Sequence, residues 1–131
     1  MTNVTVRTLP LNAASTWIAM VAALVFLALG LRALVAPVGA AAFFGVPVEE
    51  GPGLVFVQVF GARNVGLSVV ALALIALDLR RGLAAVFLAA ALIAGLDFSI
   101  VATHQDALKA AKHLGYVVGL IALGFWFARQ R

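Results

Sequence analysis

Residues 54–79 read LVFVQVFGARNVGLSVVALALIALDL, and how this stretch is understood decides the fold. Its length suits the roughly 20 residues that a helix rising about 1.5 Å per residue needs to cross the hydrocarbon layer of a bilayer. From Leu54 to Leu77 its polar residues are Gln58, Arg63, Asn64 and Ser68, and Arg63 alone carries a charge. An amphipathic helix on a soluble domain would present a whole polar face. The stretch is therefore read as a membrane span, and its polar exceptions become informative because each needs a partner where water is absent.

The flanking sequence repeats the pattern. DLRRG at 78–82 is a tight charged turn, and the next span runs over about 83–103 with Asp97 as its single charge. So short a turn makes the two helices antiparallel neighbours. The polar connection HQDALKAAKH at 104–113 leads into a span over about 108–128 that ends before RQR. Upstream, an uncharged run from Thr8 to Leu31 places a first span at about 14–36, between Pro10 and Pro37. It exceeds the roughly 7–15 apolar residues of a secretory signal and is read as a retained span. Between the first two spans, PVGAAAFFGVPVEEGPG at 37–53 is punctuated by proline and glycine. It is read as an interfacial or re-entrant segment, with Phe43 and Phe44 at the headgroup boundary or the bundle mouth and Glu49 and Glu50 toward water.

Composition agrees. Of 131 residues, 65% are hydrophobic and 11% charged, and mean hydropathy is +1.15. Too few polar side chains are present to cover a water-soluble domain of this size. The expectation is an all-α membrane protein: one domain over 1–131, four transmembrane helices in a compact antiparallel bundle. Absence of cysteine excludes disulfides, thiolate chemistry and cysteine-ligated metals. The net charge is +4, but the basic residues are scattered between apolar runs, which excludes a nucleic-acid surface. No cofactor or metal is expected, because HExxH, GxGxxG, Walker, GxSxG, CxxCH and EF-hand patterns are all missing. Arg7, Arg80, Arg81, Arg129 and Arg131 fall on the side holding both termini, against Arg32, Lys109 and Lys112 on the other. The positive-inside rule then places both termini in the cytoplasm, with a bacterial inner membrane as the expected location. Trp17 and Trp126 are interfacial anchors at the cytoplasmic ends of their helices, and Gly115 with Gly119 offers a small-xxx-small surface for close helix approach.

The polar set gathers on one side of the membrane. Arg63 and Asp97 occupy similar depths on neighbouring antiparallel helices and are expected to pair, since an isolated mid-membrane arginine costs roughly 2.5–3.5 kcal/mol on insertion scales. Arg32, Gln58 and Asn64 lie in the same half, with His104 and His113 at its edge. Asp97 and His104 are two helical turns apart, and His113 is one turn from Tyr116. Tyr116, with Glu49 at the mouth and Phe43, Phe44 or Phe60 as an apolar wall, completes an inward pocket. His113 is expected to point inward while Lys112 reaches water. The same set also suits a purely structural lock of spans one to three, whose charges would supply orientation more than stability.

GARN at 61–64, following FFGVP at 43–47 and preceding Asp97 and HLG at 113–115, resembles a family of small four-span bacterial and fungal membrane proteins catalogued as a domain of unknown function. The resemblance covers roughly 14–128. It implies the four-helix fold and assigns Arg32, Pro37, Phe44, Gly45, Gly61, Arg63, Asn64, Asp97 and His113 to the family's polar face and turns. Many relatives have Asp where this chain has Asn64, so the local charge balance differs here. No settled activity comes with the likeness.

The residues therefore frame three activities. The first is binding of a small lipophilic or amphipathic molecule in the outer half, with Arg63 and Asp97 central and Arg32, Gln58, Asn64, His104, Tyr116, Glu49 and Phe44 around it. The second is an isomerase, cyclase or lyase in which Asp97 or His113 exchanges protons and Arg63 stabilises an oxyanion. The third is transport, which four helices would support only as a homo-oligomer. Membrane lipid is the surrounding partner in all three.

Overall fold

The computed structural model describes residues 13–130. Arg7 and Arg131, used in the charge comparison, lie outside them, as do Thr8 and Pro10. The chain is all-α: α1 (Ala14–Val35), α2 (Pro37–Phe44), α3 (Gly53–Ala76), α4 (Arg80–His104) and α5 (Ala107–Arg129). Among the described residues, α1, α3, α4 and α5 are long and apolar enough to cross a membrane, and the eight-residue α2 is not. The outer surface is apolar too, with Leu24, Val55, Leu92 and Val118 exposed, the reverse of a water-soluble domain. Trp17 and Trp126 stand exposed at the end opposite α2.

Helix ends follow from local chemistry. Pro37 starts α2, where its missing N–H costs nothing. Gly45 ends it in the left-handed region at φ 112°, and the Gly45 and Val46 amides both return to the Ala41 carbonyl. An added Cβ there would also lie 3.3 Å from Val101 Cγ1. The α3–α4 turn is tighter than the sequence reading placed it: α3 stops at Ala76 and α4 already begins at Arg80. Asp78 takes φ 54° in this turn and accepts a 2.9 Å hydrogen bond from Arg80 Nε. Aspartate is among the few non-glycine residues that tolerate this conformation.

The bundle consists of two helical hairpins. α1 packs chiefly on α3 and α4 chiefly on α5, while contacts between the pairs are sparse. Gly30 and Gly61 create the α1–α3 crossing: a Cβ on Gly61 would fall 2.7 Å from the Gly30 carbonyl oxygen, and one on Gly30 would fall 2.8 Å from that of Gly61. Such backbone proximity is how membrane helices gain packing energy without a hydrophobic drive between them. Gly115 and Gly119, the pair the sequence singled out, have open space where a Cβ would lie and serve no close contact among the described residues. At the end away from α2 a core containing Ala19, Ile75, Leu83, Phe87 and Phe127 joins the hairpins. Toward α2 they diverge.

Candidate functional site

Where the hairpins diverge, they enclose a cavity of about 390 Å³. α1 contributes Phe26 and Arg32, α3 contributes Phe60 and Asn64, α4 contributes Ala94 and Asp97, and α5 contributes His113 and Tyr116. α2 covers it with Phe43 and Phe44. Phe44 lies edge-on to Phe60 at 5.2 Å and to the His113 ring at 4.7 Å, and Tyr116 continues the aromatic wall to Phe26 at 5.9 Å.

This last contact bridges α1 and α5. Along the span-forming helices, the apolar lining residues left exposed are Phe56 and Leu67 on α3 and Ile93 and Ile100 on α4, with exposures of 78%, 40%, 42% and 56%. The exposed part of the apolar lining along the spans thus belongs to α3 and α4, whose outer surfaces face lipid.

α2 is fastened by two consecutive residues of α5. Lys112 Nζ donates to the Phe43 carbonyl, and His113 Nε2 donates to the Phe44 carbonyl at 3.0 Å. The last carbonyls of a helix lack partners inside it, and cations are favoured at that end of the helix dipole. A carbonyl only accepts, so the hydrogen bond fixes the proton on Nε2 and leaves Nδ1 as the His113 nitrogen not committed to α2. Lys112 also lies 4.8 Å from the Phe43 ring centroid. On the other side the Arg32 guanidinium sits 5.2 Å over that ring and reaches the Gly39 carbonyl at 3.5 Å. Lys112 thus turns inward to α2, where the sequence had it reaching water.

Six of the expected site residues line the cavity together: Arg32, Phe44, Asn64, Asp97, His113 and Tyr116. Four expected residues lie elsewhere. Gln58 is exposed and its Nε2 donates to the Leu34 carbonyl at 3.3 Å, satisfying the end of α1. His104 is exposed, with Nδ1 on the Ile100 carbonyl at 2.9 Å. Glu49 is exposed on the loop after α2.

Arg63 is the largest departure. Helix rise gives its depth but not its direction: it is exposed, lies outside the cavity lining, and forms no ion pair with Asp97 among the described residues. The close Gly30–Gly61 crossing fixes the rotation of α3, so Phe60, Asn64 and Ser68 face inward and Arg63 falls on the outer surface. Ser68 adds no free polar group, because its hydroxyl donates to the Asn64 carbonyl at 2.7 Å. Lys112 is the site residue that sequence reading missed. Its signal was present in FFG: a helix ending at glycine leaves terminal carbonyls in need of donors.

No curated protein and no solved structure matches the chain. A family model described as Domain of unknown function (DUF4267) matches residues 23–127. That match covers most of the four-helix core, and the chain belongs to this family.

Proposed function

We propose that this protein binds a small lipophilic or amphipathic molecule that reaches the inter-hairpin cavity sideways from the bilayer. The observation that carries this reading is a roughly 390 Å³ space with a largely apolar wall, into which Asn64, Asp97 and Tyr116 bring polar groups and whose exposed apolar lining lies on α3 and α4. Ligand cavities of about 300–1,000 Å³ with a few polar groups in an apolar wall are typical of small-molecule sites. Phe44, Phe60 and Phe26 hold the apolar body of the ligand, and the polar residues orient its head. The charge distribution supports placing both termini in the cytoplasm and the cavity in the outer leaflet of a bacterial inner membrane.

A second reading is supported by Asp97 and His113 lining the same space: proton exchange on a bound lipophilic substrate, as in an isomerase, cyclase or lyase. In this reading Asn64 or Tyr116 polarises the substrate oxygen, since Arg63 lies outside the cavity. Transport in a homo-oligomer has less support, because the charged lining residues Arg32, Asp97 and Lys112 lie toward α2, while Leu83 and Phe127 pack the opposite end of the bundle.

Native mass spectrometry of the protein extracted from its membrane tests the binding reading. Wild type is expected to carry a bound small molecule that is lost in Ala94→Phe, a variant that fills the cavity, with helical content unchanged. Identical spectra for both proteins would count against it.

A further inference from the structure

The cavity's charged groups differ in what they already contact, and that difference points to a ligand class. By number, cations dominate: Arg32 and Lys112 line the space beside His113, against the single carboxylate of Asp97. An anionic ligand would follow from the count alone. All three basic residues, however, are turned toward α2, with Arg32 on the Gly39 carbonyl, Lys112 on the Phe43 carbonyl and His113 on the Phe44 carbonyl. Arg32 and Lys112 also share the Phe43 ring. An anion would have to share them with those carbonyls and that ring.

Asp97 has no such engagement. It lines the cavity half-buried, and among the described residues it has neither an ion pair nor a side-chain hydrogen bond. The α3 side supplies Asn64, whose side-chain amide makes no hydrogen bond among the described residues, and α5 supplies the Tyr116 hydroxyl, likewise unengaged. Apart from Ser68, whose hydroxyl is taken by the Asn64 carbonyl, the rest of the wall is aliphatic or aromatic, including Phe44, Phe60 and Phe26. A carboxylate in a low-dielectric space is strongly favoured by an arriving cation, and aromatic faces add a further attraction for ammonium groups.

We propose that the ligand is a lipophilic amine, bound as its ammonium form with the nitrogen on Asp97 and its hydrocarbon body among the phenylalanines. This assignment rests on the binding function proposed above and narrows it to one chemistry. The amine partitions into the bilayer, passes between α3 and α4, and exchanges headgroup contacts for the carboxylate. Asn64 and Tyr116 take its remaining N–H groups.

The test uses the full chain in lipid nanodiscs and three probes of one compact shape: adamantanamine, adamantanol and adamantane carboxylate, each titrated by calorimetry. Adamantanamine is expected to bind saturably, at least about ten-fold more tightly than either analogue. Asp97→Asn is expected to lower its affinity by at least about ten-fold while changing adamantanol affinity far less, and Asp97→Glu to restore most of it. Tighter binding of the alcohol or the acid, lost in Ala94→Phe, would overturn the amine assignment and leave the cavity function standing. Equal amine affinity in wild type and Asp97→Asn would overturn it in the same way. Binding of no probe, or binding indifferent to Ala94→Phe, would overturn both.

Discussion

His113 Nε2 and the Phe44 carbonyl oxygen lie 3.0 Å apart across 69 positions of sequence, and with the adjacent Lys112–Phe43 contact they make α5 the cap of α2. The arrangement solves two problems together. It satisfies carbonyls that a helix end would otherwise leave bare, and it holds the phenylalanines of α2 over the cavity.

Removing that cap should loosen α2 selectively. His113→Phe keeps the ring but deletes the donor, leaving a carbonyl unpaired at an expected cost of about 1–3 kcal/mol. Hydrogen exchange in the 37–46 segment should quicken several-fold while α4 stays protected. Lys112→Met should have the smaller effect, since Lys112 is less buried than His113 and water can replace part of its contact. Unchanged exchange in both variants would contradict the cap.

The α1–α3 crossing predicts a contrast between glycines. Gly61→Ala puts a methyl group 2.7 Å from the Gly30 carbonyl oxygen and 2.8 Å from Ala33 Cβ, where neither backbone nor buried alanine can yield cheaply. Overpacking of this kind costs about 1–3 kcal/mol, and thermal unfolding in detergent should show it. Gly115→Ala and Gly119→Ala meet open space. They should be neutral, or stabilising by up to about 1 kcal/mol through helix propensity.

Arg63 predicts the opposite of a site residue. It lies ten residues into α3, about 15 Å from the start of the helix, on the exposed face. Arg63→Leu should make insertion of α3 more favourable by about 2.5–3.5 kcal/mol, less whatever snorkelling already recovers, in a glycosylation-mapping assay. Adamantanamine binding should be unaffected. A loss of binding with the fold intact would return Arg63 to the site.

These residues also mark what a sequence can disclose. The spans were legible because an apolar run of membrane length is seldom anything but a span, and the α2 segment announced itself through Pro37 and Gly45. Depth along each span was legible from helix rise, which brought Asn64, Asp97, His113 and Tyr116 into one half. Rotation was not. Arg63 and Asn64 are neighbours in sequence, about 100° apart around the helix, and only the Gly30–Gly61 crossing decides which of them faces in. The cap on α2 was hidden for a related reason: it joins consecutive residues of α5 to consecutive carbonyls far upstream, a pairing that no local period records.

Photolabelling in the bilayer tests the sideways-opening cavity most directly. A diazirine-bearing alkylamine would be activated in proteoliposomes and its adducts mapped by peptide mass spectrometry. Adducts are predicted on inward positions such as Phe60 and Ala94, displaced by adamantanamine and absent in Ala94→Phe. Labelling confined to outward positions such as Leu24 and Phe125, and indifferent to competitor and variant alike, would contradict a cavity open to the bilayer.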